Sequence, residues 1–195
     1  RNAFFFIIFF RGLRRPHKRE KIHKQIEIRL QDSQTSIRIA VAWFTDTKLF
    51  DILCNKAKEG IQVELLMANH EINHESNIIY RELIENGGQI FWIGKEGIYA
   101  PLMHNKFCII DNSILITGSY NWTQKAKSNH ESITVIEEDD YLILDFNQEF
   151  DKIINKYYNK ESIEIDWTKV NVRLEIILNA IKIEDLENIN YQINK

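Results

Sequence analysis

Cysteine is almost absent: Cys54 and Cys108 are the only two in 195 residues. Both sit in apolar segments and read as buried thiols rather than a disulfide. A four-cysteine zinc site is excluded, and the content suits a reducing compartment. Long hydrophobic runs are missing as well. The run Ala3–Phe10 is eight residues, far short of the roughly 20 that cross a bilayer as a helix. A broad basic surface is also missing, since the net charge is −3 and residues 1–24 hold eight Lys/Arg against one acid, Glu20. The rest of the chain is therefore net acidic, and no face for long duplex DNA is visible. Any grip on nucleic acid has to be local, drawing on the arginine-rich leader, Lys95, Lys125 and Lys127. No internal repeat or low-complexity tract occurs.

What is present is an alternation of helical and strand patterns. Ile22, Ile26, Ile28 and Leu30 among charged neighbours predict a helix over 20–34, and Ser36–Phe44 reads as a buried strand. Thr45 or Asp46 then caps a helix through Leu49, Ile52, Leu53 and Ala57 that ends at Gly60. A strand over Ile61–Met67, a helix from about Ser76 to Glu85 stopped by Gly87-Gly88, and a strand over Gln89–Ile93 follow. This β-α-β-α-β run predicts an α/β fold with parallel neighbours. A short helix from about Thr123, a strand over 132–137 and an amphipathic helix from about Asp140 to Tyr158 complete the pattern.

The chemistry concentrates in His104-Asn105-Lys106-Phe107-Cys108-Ile109-Ile110-Asp111 and, seven residues later, Gly118-Ser119-Tyr120-Asn121. The apolar runs 107–110 and 114–117, joined by Asp111-Asn112, predict a β-hairpin whose second strand ends at Gly118. Alternation along a strand puts His104 and Lys106 on one side, and Ser119 and Asn121 share a parity of their own. One imidazole, one ammonium and two neutral polar side chains would converge there. Lys106 would supply charge, and Ser119 and Asn121 oriented polar groups, for a phosphate. Such a site needs no metal and no cofactor, because protein cations and donors can stabilise the developing negative charge.

The spacing H-x-K-x4-D followed by G-S-x-N resembles the signature of the phospholipase D superfamily, and the likeness covers roughly residues 20–158. Ala40-Val41-Ala42-Trp43-Phe44-Thr45-Asp46 also looks like the first core strand of bacterial single-motif members. The resemblance implies a mixed β-sheet flanked by helices on both faces, and cleavage of phosphodiester bonds through a covalent phosphohistidine. His104 would be the nucleophile, and Lys106, Ser119 and Asn121 would bind the phosphate. Glu131, in Asn129-His130-Glu131-Ser132, matches the carboxylate that holds the nucleophilic imidazole in one tautomer. Asp111 and Gly118 are expected to be structural members of the motif. His130 lacks a lysine two positions on.

The mechanism implied by the resemblance uses two histidines, one attacking phosphorus and one protonating the leaving oxygen. Of the six histidines (His17, His23, His70, His74, His104 and His130) only His104 has lysine at i+2. The second histidine would then come from a second copy of the chain, in a two-fold homodimer with the active site on its axis. The domains expected are an apolar and basic leader over 1–19, the catalytic domain over 20–160, and a C-terminal extension over 161–195 with a helix near Val170–Ile183. The chain begins with Arg, and two readings of the leader stay open. It is either the end of a truncated membrane anchor with its basic flank, or an N-terminal strand or disordered segment. A signal peptide fits less well, because the basic run follows the apolar one.

His70-Glu71-Ile72-Asn73-His74 formally satisfies H-E-x-x-H, the zinc-protease helix. It directly follows a predicted strand and is flanked by Asn69 and Asn77, so a loop is the better reading and no metal is expected. The leading function is an endonuclease acting on single-stranded DNA or RNA in the cytoplasm. The alternatives are a cardiolipin-type phospholipase at a membrane, or a non-catalytic phosphodiester-binding module.

Overall fold

The computed structural model describes residues 4–9, 20–94 and 102–158. Its strands are β1 (Phe4–Phe9), β2 (Ser36–Val41), β3 (Gln62–Ala68), β4 (Gln89–Ile93), β5 (Lys106–Ile110), β6 (Ile114–Gly118) and β7 (Ser132–Glu137). Its helices are α1 (Glu20–Asp32), α2 (Thr47–Lys58), α3 (Glu71–His74), α4 (Arg81–Glu85) and α5 (Asp140–Tyr157), with a 3₁₀ turn at Lys125–Ser128. The strands make one mixed sheet in the order β1-β7-β6-β5-β2-β3-β4. β2, β3 and β4 run parallel, as helical crossovers require, while the remaining pairs are antiparallel. Within the apolar run near the N-terminus, Phe4–Phe9 pair with β7 as the edge strand β1.

Period-two alternation splits the apolar residues between two layers. Ile37, Ile39, Val41, Cys108 and Ile110 face one core with Ile26 and Leu30 of α1, Leu49 and Leu53 of α2, and Leu83 of α4. Ala40, Leu66, Phe107, Ile109 and Leu115 face the other, packed against Ile143, Phe150 and Ile153 of α5. Helices thus cover both faces of an α/β sheet. Arg38 crosses to the α5 side, where its guanidinium lies 4.3 Å from the Phe150 ring centroid and bonds Glu64, Asn147 and Asp151. Both cysteines are buried free thiols. No helix among the described residues is long and apolar enough to cross a membrane.

Three local expectations change. The strand from Ser36 stops at Val41, not Phe44, because Trp43, Phe44 and Thr45 leave the sheet to bond the chain near Trp122. The helix expected over 76–85 is helical only from Arg81. Ser76 Oγ accepts from Ile78 N–H (3.4 Å) and Tyr80 OH donates to Phe44 O (2.6 Å), bonds that compete with a helical start. Residues 71–74, expected as loop, form one helical turn. The fully buried Asn73 side chain pins it, donating to Ala42 O and Ala68 O (both 2.8 Å) and accepting from Phe44 N–H (2.9 Å). The helix expected near Val170–Ile183 lies outside the described residues.

Asp46 ties three elements together beneath the sheet end. It caps α2 by accepting from Leu49 N–H (3.2 Å), and it receives His23 Nε2 of α1 (3.0 Å) and Lys127 Nζ of the 3₁₀ turn (2.7 Å). Burial alone would raise its pKa, but the bonds from His23 and Lys127 outweigh this and hold it at about 2, against an ordinary 3.8. A depressed carboxylate stabilises the fold above its unfolded pKa and loses that contribution as pH falls through the folded one. Asp46→Asn is therefore expected to cost on the order of 2 kcal/mol at neutral pH. It should also flatten the loss of stability between pH 3.8 and about 2. Urea denaturation at several pH values checks both effects, and parallel pH profiles for mutant and parent would refute the assignment.

Candidate active site

Sheet register brings the motif residues to one end. β2 and β5 pair Val41 with Lys106, and Ala42 N–H donates to Asn105 O (2.9 Å), so continuing the ladder sets Trp43 opposite His104. β6 leaves this same end at Gly118, and Ser119 N–H donates to Ser132 O (3.0 Å) where β7 begins. The carboxyl ends of β2, β3 and β4 open here too, the place where parallel α/β sheets bind ligands. Loop 119–124 is drawn in by Trp122 N–H to Trp43 O (3.0 Å) and by Thr45 and Asp46 N–H to Trp122 O (2.8 and 3.0 Å). Tyr120 and Trp122 are buried, leaving Ser119 exposed and Asn121 half-buried in alternation with them.

His104 lies just before β5, exposed, with its ring edge-on to Trp43 at 5.8 Å. Among the described residues its imidazole has no hydrogen-bond partner. Desolvation, with the nearby Lys106 ammonium, lowers its pKa below 6.5, so the neutral, nucleophilic ring dominates at neutral pH. Lys106 donates to the carbonyl of His104 (2.7 Å). Burial lowers the Lys106 pKa, and the charge of Glu131 pulls it the other way.

Glu131 accepts from Ser119 Oγ (2.5 Å) and from Asn129 Nδ2 (3.3 Å). Ser119 Oγ also accepts from Ser132 N–H (3.1 Å). The carboxylate expected to orient His104 is thus held by Ser119, which the β6–β7 register sets opposite Ser132, the residue next to Glu131. Asn121 Oδ1 is buried without a partner among the described residues. Gly118 sits where any Cβ would lie 2.2 Å from Ser132 O, so the two chains can approach only with glycine. Asp111 faces away from this site. Its carboxylate accepts from the N–H groups of Gln34, Thr35 and Ser36 and from Thr35 Oγ1 at 2.7–3.1 Å, riveting the hairpin turn to the start of β2. Burial works against its ionisation, but the backbone donors prevail and its pKa is lowered.

Sequence reasoning missed Trp43, whose ring lies 5.8 Å from that of His104 and 6.2 Å from that of His70. Extending the antiparallel register from Val41 and Lys106 would have found Trp43. Two of the lysines assigned to a nucleic-acid grip part ways. Lys125 is exposed, but Lys127 is committed to Asp46 (2.7 Å) and Gln124 (2.8 Å). Lys95 and the arginine-rich leader lie outside the described residues. In the H-E-x-x-H segment, His70 Nδ1 accepts from Ile72 N–H (3.2 Å), while His74 bonds Asn69 (2.6 Å) and stacks on Trp92. The two imidazoles are thus engaged separately.

A mixed sheet that gathers H-x-K, G-S-x-N and a following glutamate at one end is the architecture of a phosphodiester-handling α/β domain. Residues 26–157 match the family described as Cardiolipin synthase, PLD-like domain, and the chain belongs to the phospholipase D superfamily. It is 30% identical over 125 residues to the mitochondrial cardiolipin hydrolase of Chlamydomonas reinhardtii, covering 64% of this chain and 53% of that protein. With the Homo sapiens mitochondrial cardiolipin hydrolase it shares 40% identity over 79 residues, 37% of this chain and 31% of that one. The chain thus spans about half the length, or less, of these curated relatives. Among solved structures, NucT from Helicobacter pylori superposes with a TM-score of 0.62 at 21% identity, over 79% of this chain and 96% of that one. That likeness is one of fold.

Proposed function

We propose that this chain is a metal-independent phosphodiesterase, an endonuclease on single-stranded DNA or RNA, whose active site is completed by a second copy across a two-fold axis. The observation that carries the reading is a single neutral-leaning imidazole, His104, beside the Lys106 ammonium at the ligand-binding end of the sheet. The chain holds no second H-x-K to pair with it. One protomer's His104 attacks phosphorus as the bond to the leaving oxygen breaks, and the partner's His104 gives that oxygen its proton. Water, deprotonated by the same partner imidazole, then attacks the phosphohistidine and frees the nucleophile. Lys106 and Asn121 stabilise the equatorial oxygens, while Glu131 acts through Ser119 and by its charge on Lys106. Asp111 and Gly118 act as structural members of the motif. A single strand suits a chain with few local cations and net negative charge, in a reducing, cytoplasmic setting.

A second reading is lipid hydrolysis at a membrane. Leu102, two residues before His104, is 44% exposed, and the named relatives are cardiolipin hydrolases. The two are separated by offering labelled single-stranded DNA, duplex DNA, RNA and cardiolipin vesicles in excess EDTA. Single strands are expected to be cut with no loss to the chelator, whereas cutting of cardiolipin alone would replace the nuclease reading with the lipid one. Because one protomer's His104 must be neutral to attack and its partner's protonated to donate, kcat/KM should pass through a maximum near their lowered pKa and fall on either side. The acid limb is expected below 6.5, and Lys106→Met should move it upward by removing the neighbouring charge.

A further inference from the structure

We infer that Trp43 and His70 form a stacking ledge that holds the base next to the scissile phosphate, making Trp43 a substrate-positioning residue; this rests on the nucleic-acid reading above. Three rings adjoin in turn at the carboxyl end of the parallel strands, the Trp43 indole tilted by 79° to the His104 ring and by 55° to the His70 ring. The His104 imidazole is 5.8 Å from the Trp43 indole, which is 6.2 Å from the His70 imidazole. The row leads from the nucleophile across the ends of β2 and β3. Trp43 follows β2 directly and is only half-buried, although residues on either side, Ala42 and Phe44, are fully buried. Its place is set by backbone: its carbonyl accepts from Trp122 N–H (3.0 Å), and the bond from Ala42 N–H to Asn105 O (2.9 Å) just before it brings it to His104. His70 is held as firmly, since its Nδ1 caps α3 by accepting from Ile72 N–H (3.2 Å).

The chemistry of the row selects the ligand. Indole and imidazole are flat, and the indole N–H is buried without a partner among the described residues. A hydrophobic core normally supplies a partner for such a donor or excludes it. Stacking on aromatic faces is how proteins hold single strands without reading sequence, and it suits a chain poor in local cations. The rings adjoin the nucleophile directly, so a base seated on Trp43 would fix the neighbouring phosphate against His104 by proximity.

The test compares a labelled single-stranded oligonucleotide with an abasic strand of equal length, bound by the full chain carrying His104→Asn to prevent cleavage. Fluorescence anisotropy gives Kd for that parent and for Trp43→Ala, Trp43→Phe and His70→Ala added to it. Trp43→Ala is expected to weaken the base-bearing strand about tenfold while leaving the abasic strand unchanged. Trp43→Phe should retain most of the affinity, and His70→Ala should show a smaller loss in the same direction. Equal losses on both strands would mean that Trp43 merely packs against His104, overturning the ledge while the nucleic-acid reading stands. Failure of the parent to bind either strand would remove both. Should Trp43→Ala not fold, Trp43→Phe and His70→Ala still decide through the difference between the two strands.

Discussion

Replacing His104 by alanine is expected to lower kcat by about 10⁴-fold or more, because the attacking nitrogen and the proton donor are lost together in a symmetric dimer. The more telling result comes from mixing. If each site needs one imidazole from each protomer, heterodimers of wild-type and His104→Ala chains have a single His104 and do not turn over. Unfolding and refolding the two together in equal amounts should then leave about one quarter of the activity of an all-wild-type sample, from the surviving wild-type pairs. A chain that works alone would leave about half, since every wild-type protomer would keep its own site whatever its partner. The readout is initial rate against mole fraction, quadratic for a shared site and linear for an independent one. Linear behaviour would abolish the dimeric mechanism even if His104 proves essential.

Gly118→Ala is expected to be the most destabilising single change in the motif. The new methyl would lie 2.2 Å from Ser132 O and 2.9 Å from Ile133 Cα, both backbone atoms that cannot rotate away. Relief requires β6 and β7 to part, breaking the bond from Ser119 N–H to Ser132 O (3.0 Å) and with it the Ser119–Glu131 pair. A cost of about 3 kcal/mol or more follows, or a fall in Tm of roughly 10 °C for a domain of this size. Gly60→Ala is the control. That glycine has φ +88 but nothing within 4 Å of an added Cβ, so only backbone strain is felt, about 1 kcal/mol. Differential scanning calorimetry of the two variants separates steric from conformational cost. Equal Tm shifts would show that the β6–β7 approach is not what demands glycine at 118.

Much of the fold was readable because its signals are local. Strands alternate with helical periodicity from Ile22 to Tyr157, and the cap at Asp46, the stop at Gly60 and the strand Gln89–Ile93 fall where propensity puts them. The hairpin turn was legible in Asp111-Asn112, a pair that tolerates the positive φ it adopts, 52° and 49°. Expectations failed where a side chain far along the chain decided the local conformation. Asn73 forms a helical turn because its amide fits between the ends of β2 and β3, and Tyr80 delays α4 by reaching Phe44 O. Nothing within a window of neighbouring residues carries that information.

The site divides in the same way. Residue order alone made legible the groups proposed to carry the chemistry, His104, Lys106, Ser119, Asn121 and Glu131, and that this chain holds one H-x-K, because motif spacing is a local property. Only the tertiary structure decided their partners. Ser119 takes Glu131, Lys127 is drawn from the surface to buried Asp46, Asp111 turns to the start of β2, and Trp43 meets His104. Each of these pairings is set by strand register or by the burial of a charge. Both depend on the whole sheet closing, since a side chain's neighbours across a ladder lie tens of residues away along the chain.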